Sequence, residues 1–110
     1  MLSKRERLSV RDITLLANSQ SVFGVHMSMR YALAPTKKFS VSVSKKVAKR
    51  AVDRNRIKRR VYAVLRNAKK DLKKSVFIMI MPKRECQIIK LEEIRNEIIS
   101  LWKKAGLSTA

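Results

Sequence analysis

The apolar positions of this chain switch between a helical period and a period of two, and the switches mark its elements. Val10, Ile13, Leu16 and Ala17 fall on one helical face, so a short first helix is expected over residues 10–18, opened by Ser9 and Asp12 at capping-box spacing. From Ser21 the period becomes two. Val25, Met27, Met29, Tyr31 and Leu33 alternate with His26, Ser28, Arg30 and Ala32, which predicts a strand with the first set facing the core. Gly24 marks a bend or bulge near its start, a point at which the strand would break in two. Ala34-Pro35-Thr36-Lys37 reads as a turn. A second strand follows over 39–44, with Phe39, Val41 and Val43 inward and Ser40, Ser42 and Ser44 outward, and the two strands are expected to form a hairpin.

Ile57, Val61, Val64, Leu65, Ala68 and Leu72 recur at helical spacing and predict a long second helix over 52–72. The run Val76 to Met81 is apolar throughout, the pattern of a central strand buried on both faces. Strand, helix and strand then form a βαβ unit, which implies parallel pairing. Pro82 to Gln87 is expected as a loop. A last helix over 91–105 buries Leu91, Ile94, Ile98, Leu101 and Trp102, with Glu92 and Glu93 at its start, Lys103 and Lys104 at its end, and Gly106 as its stop. The expectation is a single α+β domain over 1–110, frayed over 1–8, with helices packed on one face of a small mixed sheet in the order αββαβα.

Charge changes this picture. The chain carries 27 Lys and Arg against 8 Asp and Glu, a formal net charge of +19, while 45% of its residues are hydrophobic. It can therefore fold, and its surface calls for a polyanionic partner, either nucleic acid or an anionic membrane. The cations concentrate in SKKVAKRAVDRNRIKRR, residues 44–60, where nine basic residues face one acid, Asp53. This segment enters the second helix at its N-terminal end, where the helix dipole favours acids. Charges placed against stability in this way point to function, and a dipole reinforced by cations suits phosphate. Arg54 and Lys58 share one side of the helix, as do Asn55 and Arg59.

Catalytic constellations are missing from the sequence. One cysteine, Cys86, permits no intramolecular disulfide, and with the single His26 it makes no zinc site of the usual kind. No glycine-rich phosphate loop is present, and the carboxylates are scattered. The charged start MLSKRERLSV is unlike a secretory signal, so a cytoplasmic protein is expected. The outward face of the two strands, small and hydroxylated with His26 and Arg30 nearby, has two readings: a solvated face, or a shallow floor for an extended nucleic-acid strand. Composition alone leaves DNA, RNA and membrane open.

The residues narrow the choice. VSVSKKVAKRAVDRNRIKRRV resembles the signature of the bacterial ribonuclease P protein component: a strand ending in Ser44-Lys45-Lys46, a short link, then Arg54-Asn55-Arg56 at the start of a long helix. The opening KRERLSVRD and the helix LEEIRNEI are similar to that family as well. The resemblance implies an αβββαβα fold, shared with a domain of some ribosomal proteins, with a left-handed βαβ crossover in place of the usual right-handed one. It implies an accessory subunit of an RNA-based endonuclease that removes the 5′ leader of precursor tRNA. The RNA subunit would perform hydrolysis with Mg2+ bound mainly by RNA. Partners would be ribonuclease P RNA and precursor tRNA, with no membrane and no obligate protein partner. Carried over by position, Lys45, Lys46, Arg54, Asn55, Arg56, Lys58 and Arg59 would bind RNA. A leader cleft would involve Ile13 and Ala17, which stand where the family has aromatics, Tyr62, which stands where it has an Arg, and Tyr31 and Ser42. The alternatives are a ribosomal-type RNA-binding protein without a processing role and an anionic-membrane or generic nucleic-acid binder.

Overall fold

The structure is a computed structural model that describes Arg7 and residues 19–107. The expected first helix, its Ser9–Asp12 cap, Ile13 and Ala17 lie outside the described residues. Within them the order is β1 (Gln20–Phe23), β2 (Met27–Leu33), β3 (Lys38–Val41), α1 (Ala51–Ala68), β4 (Val76–Pro82) and α2 (Leu91–Lys104). The long helix of the sequence reading is thus α1. It closes at Ala68 into a short 3-10 turn over Lys69–Asp71, and a second such turn, Arg84–Gln87, occupies the expected loop after β4.

Gly24 does break the first strand. β1 and β2 pair antiparallel, from Gln20 opposite Tyr31 to Phe23 opposite Ser28. The turn between them is closed by the Gly24 amide donating to Met27 O at 2.8 Å. Glu97 of α2 reaches into this turn, its Oε2 accepting the His26 amide at 2.7 Å. A Cβ on residue 24 would lie 2.7 Å from that same oxygen and 3.1 Å from Met27 O, which is why glycine stands here.

The expected hairpin of β2 and β3 does not form. The sheet order is β1-β2-β4-β3, with β4 inserted between them, antiparallel to β2 and parallel to β3. The cause is hydrophobic: only the Val76–Pro82 segment is apolar enough to be covered on both faces, so it takes the interior position. The link 34–37 spans the gap across the entry of β4, tied down by the Ala34 amide to Ser75 O (3.1 Å) and Lys37 Nζ to Leu72 O (2.7 Å). The parallel pairing expected of the βαβ unit is present, from Lys38 opposite Phe77 to Val41 opposite Ile80.

One face of the sheet supplies Met27, Met29, Phe39, Val41, Ile78 and Ile80 to the core, against Ile57, Val61 and Leu65 of α1 and Ile94, Ile98, Leu101 and Trp102 of α2. Each fully buried Ile or Leu here contributes about 1.5–3 kcal/mol. Trp102 is core, as expected, with its ring 6.4 Å from that of Phe39. Gly106, at φ +73°, ends α2 as predicted. The Gly106 amide bonds Lys103 O and the Leu107 amide bonds Trp102 O, a Schellman cap that delivers Leu107 into the core. Three expected core residues are exposed instead: Val25 (74%) lies in the turn rather than in a strand, Leu33 (72%) ends its strand, and Leu91 (46%) opens its helix.

Gly24→Ala should destabilise the fold by about 1–2 kcal/mol by displacing Glu97 from the His26 amide. In a Glu97→Ala background the same change should cost clearly less. A denaturant melt of the four-member cycle checks this, and equal costs in both backgrounds would exclude Glu97 as the cause.

Candidate nucleic-acid interface

Beyond Val41 the chain stays extended long enough for the Ser42 amide to bond Ile80 O (2.9 Å), then turns. Ser44 O accepts the amides of Val47 (3.1 Å) and Ala48 (3.2 Å). Val43 and Ala48 are buried and Val47 packs on the core, so the apolar residues anchor a turn whose tip, Lys45 and Lys46, is exposed. α1 then begins after Arg50, an extended N-cap residue with no side-chain cap.

α1 has three working sides. Its buried stripe is Ile57, Val61, Val64, Leu65 and Ala68. A second side fastens the segment 84–89: Asp53 accepts from Gln87 Nε2 at 3.0 Å, Arg60 Nε donates to Cys86 O at 3.0 Å, and Arg60 Nη2 donates to Ile89 O. The lone acid of the basic segment is therefore engaged in fixing a neighbouring turn. The third side carries Val52, Asn55, Lys58, Arg59 and Tyr62, and with Ser40, Val41 and Arg7 it lines a groove of about 700 Å3. Tyr62 Oη accepts the outward amide of Val41 at 3.2 Å, which pins the phenol ring along the edge of β3. On that same edge Arg7 forms a parallel bridge with Phe39.

A smaller cavity of about 390 Å3 lies at the start of α1, lined by Lys46, Lys49, Arg50 and Arg84 among others. Arg54, like Arg60, bonds backbone carbonyls, but those of the loop just before the helix: its Nη1 donates to Ala48 O (3.0 Å) and Lys49 O (2.7 Å). Arg56 and Arg59 are exposed on the outer surface of the helix.

The structure thus gathers Lys45, Lys46, Arg54, Asn55, Arg56, Lys58 and Arg59 at one end of the molecule. Of the expected cleft residues, Tyr62 lines the groove and exposed Ser42 follows directly on its wall. Tyr31 does not join them. With β4 between β2 and β3, and with its side chain on the same sheet face as Met27 and Met29, Tyr31 packs against the core and donates to Gln20 Oε1 at 2.6 Å. Arg7 and Arg84 were not picked out from the sequence. Arg7 arrives through a strand bridge and Arg84 through a turn packed beside α1, contacts between distant segments that no local pattern announces.

A family model described as Ribonuclease P matches residues 2–106. This chain belongs to that family. It is 32% identical over 73 residues to the Ribonuclease P protein component of Bacillus cereus, a stretch covering 66% of this chain and 63% of that protein. The match therefore spans less than two thirds of the relative's length. The fold is that of solved family structures. The RNase P protein of Staphylococcus aureus matches with a TM-score of 0.77 at 20% identity, over 94% of this chain and 98% of that one. That of Thermotoga maritima matches with a TM-score of 0.78 at 23% identity, over 91% and 97%. The family's mixed α+β architecture is the one described above, and residues 44–60, with nine cations and one acid, form the basic end of this chain.

Cys86 sits under this end without joining it. The thiol is buried, bonded through Sγ to His26 O at 3.3 Å. Burial, with Glu97 and Glu85 adding to it, raises its pKa from an ordinary 9.0 to about 11, partly opposed by the Lys83 amide and Arg60. Because the folded value lies above the unfolded one, the stability it confers is complete below pH 9 and is lost as pH rises through 11. Unfolding free energy should therefore fall more steeply between pH 9 and pH 11 in this protein than in its Cys86→Ala variant. Parallel pH profiles in chemical denaturation would show that the thiol is not shifted.

Proposed function

We propose that this chain is the protein subunit of ribonuclease P, docking on the catalytic RNA and holding the 5′ leader of precursor tRNA while the RNA cleaves it. The observation that carries the reading is the union of two features on one helix. The first turns of α1 and the preceding loop form an exposed cationic surface, and the adjoining side of α1 lines the groove beside β3. Such a surface recognises a folded RNA by its phosphate geometry, through Lys45, Lys46, Arg56 and Arg59. The groove offers an extended strand what it needs: amide and guanidinium donors from Asn55 and Arg59, a small hydroxyl at Ser40, and the Tyr62 ring for a base to stack on.

The chain's share of the reaction is binding and positioning. Among the described residues no three His, Cys, Asp or Glu side chains come together in a way that could hold a metal ion. In this reading magnesium is bound mainly by the RNA, and the chain contributes its own cations and hydrogen-bond donors. Among the described residues no helix is long and apolar enough to cross a membrane. A cytoplasmic location follows from the proposed role in tRNA maturation.

Reconstitution tests the reading. Added to a ribonuclease P RNA and a leader-bearing precursor tRNA at low magnesium, the protein should raise cleavage above that of RNA alone. No gain would leave an RNA-binding protein without a processing role. Tyr62→Ala should weaken leader-bearing substrate by about 1–3 kcal/mol and leave mature tRNA unaffected, while Tyr62→Phe, which keeps the ring, retains the leader affinity. Equal losses in both variants would move the contact from the ring to the hydroxyl.

A further inference from the structure

We infer that Arg54, the first arginine of the Arg54-Asn55-Arg56 motif, is a positioning residue that sets the lysine-bearing loop before α1 and does not itself bind RNA phosphate. The inference rests on the reading of this end as the RNA interface and assigns a separate role within it.

The geometry distinguishes Arg54 from its neighbours. Its side chain turns back toward the segment before the helix, and one nitrogen donates to two consecutive carbonyls, Ala48 O and Lys49 O. Those carbonyls lie upstream of Arg50 O, the first acceptor of the helix, which takes the amides of Asp53 and Arg54. The helix ladder therefore has no donor for them. Arg54 supplies one, and it does so with a charged group, the stronger kind of bond. A neutral side chain or a free lysine would serve poorly, since the guanidinium is half-buried yet always charged and its donors are fixed in one plane.

What is fixed is the backbone that carries Lys45, Lys46 and Lys49. That loop has one other internal fastening, the pair of amide bonds from Val47 and Ala48 to Ser44 O. Between this turn and the helix, the carbonyls held by Arg54 join the loop to α1. Lysine is a flexible point charge, so the gain from holding three of them lies in presetting their backbone before the RNA arrives. Arg56, two residues on, is exposed and has the opposite character, free to meet phosphate directly.

The two roles give different signatures. A direct phosphate contact, when removed, lowers the slope of log affinity against log salt by roughly 0.7–0.9. Loss of a positioning bond weakens affinity while the bound complex keeps the same phosphate contacts, so the slope stays. The experiment compares Arg54→Ala, Arg54→Lys and Arg56→Ala in the full chain, using ribonuclease P RNA as the probe. Arg54→Ala should bind about tenfold to a hundredfold more weakly with the wild-type slope. Amide exchange at Val47 and Ala48 in the free protein should be about tenfold faster. Arg56→Ala should lose the slope increment and leave that exchange unchanged. Arg54→Lys keeps the charge without the fork, so it should also speed exchange at a wild-type slope. It decides the matter if Arg54→Ala does not fold. Unchanged loop exchange, or a slope decrement at position 54 equal to that at 56, overturns the inference. A slope unaltered in Arg56→Ala as well would instead bring down the interface reading beneath it.

Discussion

The parallel pairing of β3 with β4 is the constraint from which the rest of the molecule follows. Two parallel neighbours cannot be joined by a tight turn, so the chain must cross the sheet and start again from the same side. α1 makes that crossing on the core face. Its N-terminus is thereby forced to lie beyond the C-terminal end of β3, next to the last residues of the strand. The basic loop, the helix start and the β3 edge come together because the topology leaves them nowhere else to go. The register, Lys38 opposite Phe77 through Val41 opposite Ile80, fixes how far apart they sit.

Set on this frame, the charges at the start of α1 repel one another and oppose the helix dipole. The opposing terms are also on the helix. Its stripe of Ile57, Val61, Val64, Leu65 and Ala68 is fully engaged in the core, and Asp53 in its first turn and Arg60 at its middle attach the helix to the turn after β4. α2 shows the contrast. Its acids are at its start, its lysines at its end, and its Glu97 closes the β1–β2 turn. One helix follows the rules for stability and the other departs from them at the end where an anionic partner would compensate.

Much of this was legible in the sequence. The stripe of α1, the uniform apolarity of β4, the break at Gly24 and the stop at Gly106 are local patterns with local causes, and each is where the spacing put it. The hairpin reading failed because period-two alternation says which face a residue occupies and nothing about which strand lies alongside. The whole-sheet competition for the interior position, won by β4, decided that. The same limit applies to the interface. Sequence identified the cations of 44–60 as a group. It could not separate Arg54 and Arg60, whose side chains bond backbone carbonyls, from Arg56 and Arg59, which stand exposed. Nor could it add Arg7 and Arg84, or remove Tyr31, because each depends on a partner distant in the chain.

The bond between Tyr62 Oη and the Val41 amide has one more consequence. β3 is the last strand on its side of the described sheet, and an edge strand with open donors and acceptors is a template on which another chain can add itself. Here the hydroxyl occupies one donor and the bridge from Arg7 covers the neighbouring position at Phe39. Lysines and arginines crowd the approach. The side chains that make this edge hospitable to a polyanion therefore also make it hostile to a second polypeptide, so a protein built to receive an extended strand of one polymer is protected from accepting a strand of its own kind.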